Sequence, residues 1–140
     1  MDGGTLLMDL KAKPIVAVVD DDRRVRESLE SLITSGGLTA QVFSLAEDFL
    51  RCSHLEATSC LITDVRMPGM NGLELQRRVR LARPELPIIF ITAHHEDEVE
   101  RRAFAEGATF FIRKPFNAEE LLGATRSALS NSSGDNRKTS

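Results

Sequence analysis

Five short runs with strand character alternate along this chain with segments of helical period. They are Ile15 to Val19, Thr39 to Phe43, Cys60 to Thr63, Ile88 to Thr92 and Thr109 to Ile112. Few folds accept that order. A strand followed each time by a helix implies an α/β domain: a parallel five-stranded sheet with right-handed crossovers and helices on both faces. Three of the runs are almost continuously apolar, as strands covered on both sides should be. Between them, Val25, Leu29, Leu32 and Ile33 form a helical stripe that ends at Gly36-Gly37, and Ser44-Leu45-Ala46-Glu47 has the form of a capping box. Gly72 to Arg83 stops before Pro84, and Glu96 to Glu106 stops at Gly107. Asn117 caps a last helix expected to run through Leu129.

At 140 residues and 41% hydrophobic content the chain suits one domain, expected at 14–129 between polar tails at 1–13 and 130–140 that read as flexible. Net charge of −3 argues against a surface of its own for nucleic acid, since phosphate neutralisation needs a basic face. Arg77, Arg78, Arg80 and Arg83 do cluster, but with Leu73, Leu75, Val79 and Leu81 between them they read as a solvated helix face. With no Trp or Tyr, and its seven Phe spread along the chain, it offers no stacking platform for single strands. Cys52 and Cys60 match neither metal nor redox spacing, so no disulfide is expected and a reducing cytosol fits best. No apolar run approaches the ~20 residues needed to cross a bilayer.

Ligands of open parallel sheets sit at the carboxyl ends of the strands, where strand order reverses. There the first run meets Asp20, Asp21 and Asp22, the third ends at Asp64, the fourth at Thr92, and the fifth is followed by Lys114. Adjacent carboxylates repel by roughly 1 kcal/mol in water and about 4 near a protein surface, so something must be gained by gathering them. The triplet alone admits two readings: carboxylates holding a hard divalent cation, or Asp22 as a helix cap beside two solvated loop charges. Four separate strand ends converging on one rim with carboxylates, a hydroxyl and an ammonium favour the first.

These residues carry a resemblance to the receiver domain of two-component response regulators, nearest in flavour to FixJ-type receivers. It runs through Val18-Val19-Asp20-Asp21-Asp22, then Ile62-Thr63-Asp64-Val65-Arg66-Met67-Pro68-Gly69-Met70-Asn71-Gly72, Ile91-Thr92-Ala93 and Arg113-Lys114-Pro115-Phe116, covering about residues 14 to 129. The resemblance implies a flavodoxin-like (βα)5 fold with strand order 2-1-3-4-5. It implies that Asp64 takes a phosphoryl group from the phosphohistidine of a sensor histidine kinase or a histidine phosphotransfer protein. Magnesium, with manganese as a substitute, would be held by Asp21, Asp64 and the backbone carbonyl of Arg66, with Asp20 reaching it directly or through water. Thr92, Ala93 and Lys114 would stabilise the phosphoryl group, Thr92 and Phe111 would form the switch, and Arg66 and His94 would set phosphoryl lifetime. Pro115 is expected after a cis peptide, and Gly69 and Gly72 should serve the turn after Asp64 and the start of the next helix. Adjacent His94 and His95 point different ways and fit no zinc spacing, and His54 reads as a surface residue.

The same resemblance places the responsive surface on the fourth helix, fifth strand and fifth helix, where mixed charge suits a phosphorylation-dependent homodimer. Eleven residues follow Leu129, too few for a helix-turn-helix, so the expectation is a single-domain regulator or the receiver of a longer transcription factor. A magnesium-dependent phosphatase of the haloacid-dehalogenase type is the rival from another class. Its Asp-x-Asp is met by Asp20 and Asp22, but Arg23 and Arg24 follow where that motif wants a small or β-branched residue. A pseudo-receiver, with the fold but no phosphorylation, would lack part of an acidic site that is complete here.

Overall fold

The computed structural model describes residues 13–51, 54–94 and 96–134, apart from the side chains at 54 and 132–134. Its element order is β1 (Ile15–Val19), α1 (Arg23–Ser35), β2 (Thr39–Phe43), α2 (Ala46–Arg51), a single helical turn at His54–Ala57, and β3 (Cys60–Asp64). Then come α3 (Gly72–Ala82), β4 (Ile88–Thr92), α4 (Asp97–Ala105), β5 (Phe110–Arg113) and α5 (Ala118–Gly134). All ladders are parallel and the strand order is 2-1-3-4-5, as expected. The order reverses between β1 and β3, which opens the crevice that the acidic residues flank.

Strand alternation divides the core in two. Ala17 and Val19 of β1, Leu61 of β3 and Ile88 and Phe90 of β4 face α2, α3 and α4, meeting Phe49, Leu75, Val79 and Ala103. Val16, Val18, Ile62, Ile89 and Ile91 face the other way and pack on Leu29 and Ile33 of α1 and Leu121 and Ala128 of α5. Both faces are covered, which is why β3 and β4 are buried from end to end.

Several local expectations change. The helix opened by Asn117 runs past Leu129 to Gly134, because Ser130 to Ser133 contains no proline and these polar residues cost a helix only tenths of a kcal/mol each. The capping box is not closed by Glu47, whose Oε2 instead accepts from the amide of Met70 across the fold at 3.2 Å. Arg80 and Arg83 are half-buried rather than freely solvated. The Arg80 guanidinium donates to the carbonyls of Leu86, Glu106 and Gly107, and that of Arg83 to Leu55, Glu56 and Thr58, so each ties loop ends together. Leu81 is 82% exposed, since its helical angle lies off the face of Leu75 and Val79. Cys60 is a buried free thiol whose pKa burial pushes up to about 12, while Cys52 lies outside the described residues. So do residues 1–12 and 135–140 of the expected tails. No described helix is long and apolar enough to cross a membrane.

Candidate functional site

Backbone pairing fixes the acidic residues before any ligand arrives. The Asp20 amide donates to the Phe43 carbonyl at 3.1 Å, its own carbonyl accepts from Arg26 Nη1 at 2.8 Å, and its Oδ1 accepts from the Asp22 amide at 2.8 Å. Asp22 meanwhile caps α1, its Oδ1 accepting from the Arg24 amide. The triplet therefore divides: Asp22 is the cap, while Asp20 and Asp21 gather with Asp64. One carboxylate oxygen from each of these three lies within 4.8 Å of the other two, with Asp20 and Asp64 buried and Asp21 exposed.

Asp64 ends β3 with Oδ1 accepting from the Val65 amide at 2.8 Å. Its other oxygen accepts from Lys114 Nζ at 3.2 Å, and the same ammonium lies 2.9 Å from Asp20 Oδ2. Lys114 thus stands between two carboxylates, held there by its amide, which donates to the Thr92 carbonyl at 2.7 Å. The Lys114–Pro115 peptide is cis.

The charges respond to this crowding. Burial raises the pKa of Asp20 above the ordinary 3.8, and the Asp64 charge adds to it, while the Asp22 amide and Lys114 offset only part. Burial alone would lower Lys114, but hydrogen bonding and attraction from Asp20, then from Asp64, outweigh it and leave the pKa above 10.5. Three gathered carboxylates, two of them paired with one ammonium, form an all-oxygen nest with excess negative charge. A hard dication such as magnesium fits that donor set, and Lys114 already occupies the nest as an internal cation.

Other expected residues lie on the rim in different states. The Thr92 hydroxyl is engaged with its own loop, donating to the His94 carbonyl at 3.1 Å and accepting from the His94 amide at 3.0 Å. Ala93 is exposed and lines an open groove of about 410 Å³ with Lys114, Pro115, Phe116, Arg24, Val25 and Ser28. Arg66, two residues after Asp64, sends its guanidinium to the carboxylate of Glu96 at the start of α4. His94 is exposed, and His95 and the His54 side chain lie outside the described residues. Phe111 is half-buried between Phe90, at 5.9 Å between ring centroids, and Phe104 at 6.4 Å. Gly69 has a positive φ of 74°, and a Cβ on Gly72 would lie 2.2 Å from the Asp64 carbonyl oxygen, so both positions require glycine.

Residues 16–126 match the family described as response regulator receiver domain. The chain belongs to that family. Among curated relatives, this receiver is 45% identical over 115 residues to the response regulator protein TodT of Pseudomonas putida, covering 82% of the chain and 51% of TodT. It is 35% identical over 116 residues to the DNA-binding transcriptional regulator NtrC of Escherichia coli, covering 83% of the chain and 25% of NtrC. The receiver thus spans about half the length of one relative and a quarter of the other. The structure of the response regulator StyR superposes with a TM-score of 0.80 at 43% identity, over 87% of this chain and 62% of that one.

The sequence reading missed Glu47 as a contact to the loop after Asp64, and Glu96 as the partner of Arg66. Nothing in local spacing pairs residues 23 or 30 positions apart.

Proposed function

We propose that this receiver accepts a phosphoryl group on Asp64 from a phosphohistidine of a sensor kinase or phosphotransfer protein in the cytoplasm. The observation that carries the reading is the lysine-bridged carboxylate nest at the strand-order reversal, with Asp64 at its centre. A carboxylate oxygen of Asp64 bonds to phosphorus as the P–N bond breaks, and that electron pair leaves with the imidazole. Magnesium, held by Asp20, Asp21, Asp64 and the Arg66 carbonyl, would offset charge on the transferring group. Lys114, 3.2 Å from Asp64, would follow a phosphoryl oxygen. Ala93 would supply a backbone donor. The domain is a switch rather than a turnover enzyme, although its own residues promote both gain and loss of the phosphoryl group.

Phosphorylation adds about 1.5 to 2 negative charges beside Thr92. Its hydroxyl would leave the His94 backbone for a phosphoryl oxygen, and Phe111 would move into the space released. Phe111 has no hydroxyl, so this response depends on packing alone. The face of α4, β5 and α5 would carry the result to a second copy of the chain or to a downstream target, whether in a single-domain regulator or in a longer transcription factor.

Intact-mass spectrometry after incubation with acetyl phosphate and magnesium tests the reading. One phosphoryl group should appear on the wild type and none on Asp64→Asn. An unmodified wild type would overturn the proposal in favour of a non-phosphorylated scaffold, and rapid turnover of p-nitrophenyl phosphate would favour a phosphatase.

A further inference from the structure

The loop joining Asp64 to α3 carries the one backbone group expected at the metal, the Arg66 carbonyl, and three restraints define that loop. At its inner end Gly72 packs against the Asp64 carbonyl, and the Gly72 amide donates to the Val65 carbonyl at 2.8 Å. At its outer end the amide of Met70 donates to Glu47 Oε2 at 3.2 Å, and a Cβ on Gly69 would come within 2.9 Å of the same oxygen. Glu47 therefore lies on the loop as a strut from the first turn of α2, where the positive helix end favours a carboxylate.

The other oxygen, Glu47 Oε1, is buried and accepts no hydrogen bond from the described residues. Burying a half-satisfied carboxylate is unfavourable, so the contact with Met70 is kept at a cost.

We infer that Glu47 is a positioning residue for the metal step: by holding the Met70 amide it fixes the loop from Val65 to Gly72 and so places the Arg66 carbonyl for a divalent cation. The inference rests on the proposed metal site. Glu47 does not join the group of Asp20, Asp21 and Asp64 whose oxygens could share one ion, so it acts through the loop rather than as a ligand. Groups that orient ligands in this way typically change metal affinity by 10-fold or more when removed.

Isothermal titration of magnesium into wild type, Glu47→Ala and Glu47→Gln separates the possibilities, with amide hydrogen exchange at Met70 measured in each. The alanine variant should bind magnesium about tenfold more weakly and lose protection at Met70. The glutamine variant should regain most of both, because its side-chain oxygen still accepts from the Met70 amide. Alanine binding equal to wild type would overturn the inference, as would glutamine behaving like alanine, which would mean that charge and not the hydrogen bond matters. If the alanine variant fails to fold, the wild type decides: an unprotected Met70 amide would rule out the strut. A wild type that binds no magnesium would instead remove the metal site on which the inference is built.

Discussion

Lys114 is the residue that offsets charge inside the acidic cluster. It is the ammonium through which Asp20 and Asp64 are bridged, and its raised pKa means that folding favours its charged form. That stabilisation is fully present below pH 10.5 and is lost as pH rises through the higher folded value. Chemical denaturation followed between pH 9 and 12 should therefore show a loss in wild type that Lys114→Met does not share. Asp20 shifts in the same direction, but in the acid range. Its pKa is raised, by burial first, so the stability present below pH 3.8 is lost as pH rises through the higher folded value, and at neutral pH its ionised form opposes folding. Replacing it with Asn keeps an acceptor for the Asp22 amide and removes a charge. Relief on the order of 1 kcal/mol corresponds to a melting midpoint about 4 °C higher for a domain of this size, together with loss of magnesium binding in a titration. A lower midpoint would mean that the Asp20–Lys114 pair contributes more than the desolvation it requires.

Between elements, the informative contacts are those that local pattern could not reveal. Asp20, Asp64 and Lys114 were legible because strand ends of a parallel sheet share one rim, so spacing along the chain converts into proximity. The five strands were legible because burial on two faces leaves apolar runs. Arg80, Arg83 and Glu47 were misread because each reaches backbone groups far along the chain, where helical spacing carries no information. Arg80 joins the end of α3 to the start of β4 and the end of α4, so Arg80→Ala should lower unfolding free energy by about 2 kcal/mol in urea. A second cross-element contact bears on function. Glu96 occupies the N-cap of α4, yet its side chain makes no cap bond and pairs with Arg66 across the rim of the pocket. A phosphoryl group on Asp64 would compete with Glu96 for that guanidinium. Glu96→Gln should free Arg66, and because an exposed ion pair is worth up to about 1 kcal/mol, phosphorylation by acetyl phosphate should speed up by roughly two- to fivefold. An unchanged rate would show that Arg66 does not reach the phosphoryl group.

At the scale of the whole molecule, the proposed phosphorylation of Asp64 would have to reach a surface another protein can read. The path open to it is a line of rings: Phe90 is fully buried in the sheet, Phe111 touches it, and Phe104 of α4 touches Phe111 while 43% exposed. An inward movement of Phe111 would withdraw support from Phe104 and reshape α4. The charges around it suit self-association. Glu98 and Arg101 pair with each other at 62% and 71% side-chain exposure, so little is lost when they re-pair across a two-fold axis, where a patch of both signs complements itself. Sedimentation should then show a monomer in the unmodified protein and a dimer after addition of magnesium and beryllofluoride. Phe104→Glu should accept phosphate at the wild-type rate yet remain monomeric, because a carboxylate replaces the apolar anchor at the centre of the contact. If wild type keeps one mass in both conditions, the α4, β5 and α5 face does not serve self-association, and the charged surface is left as a site for a different protein.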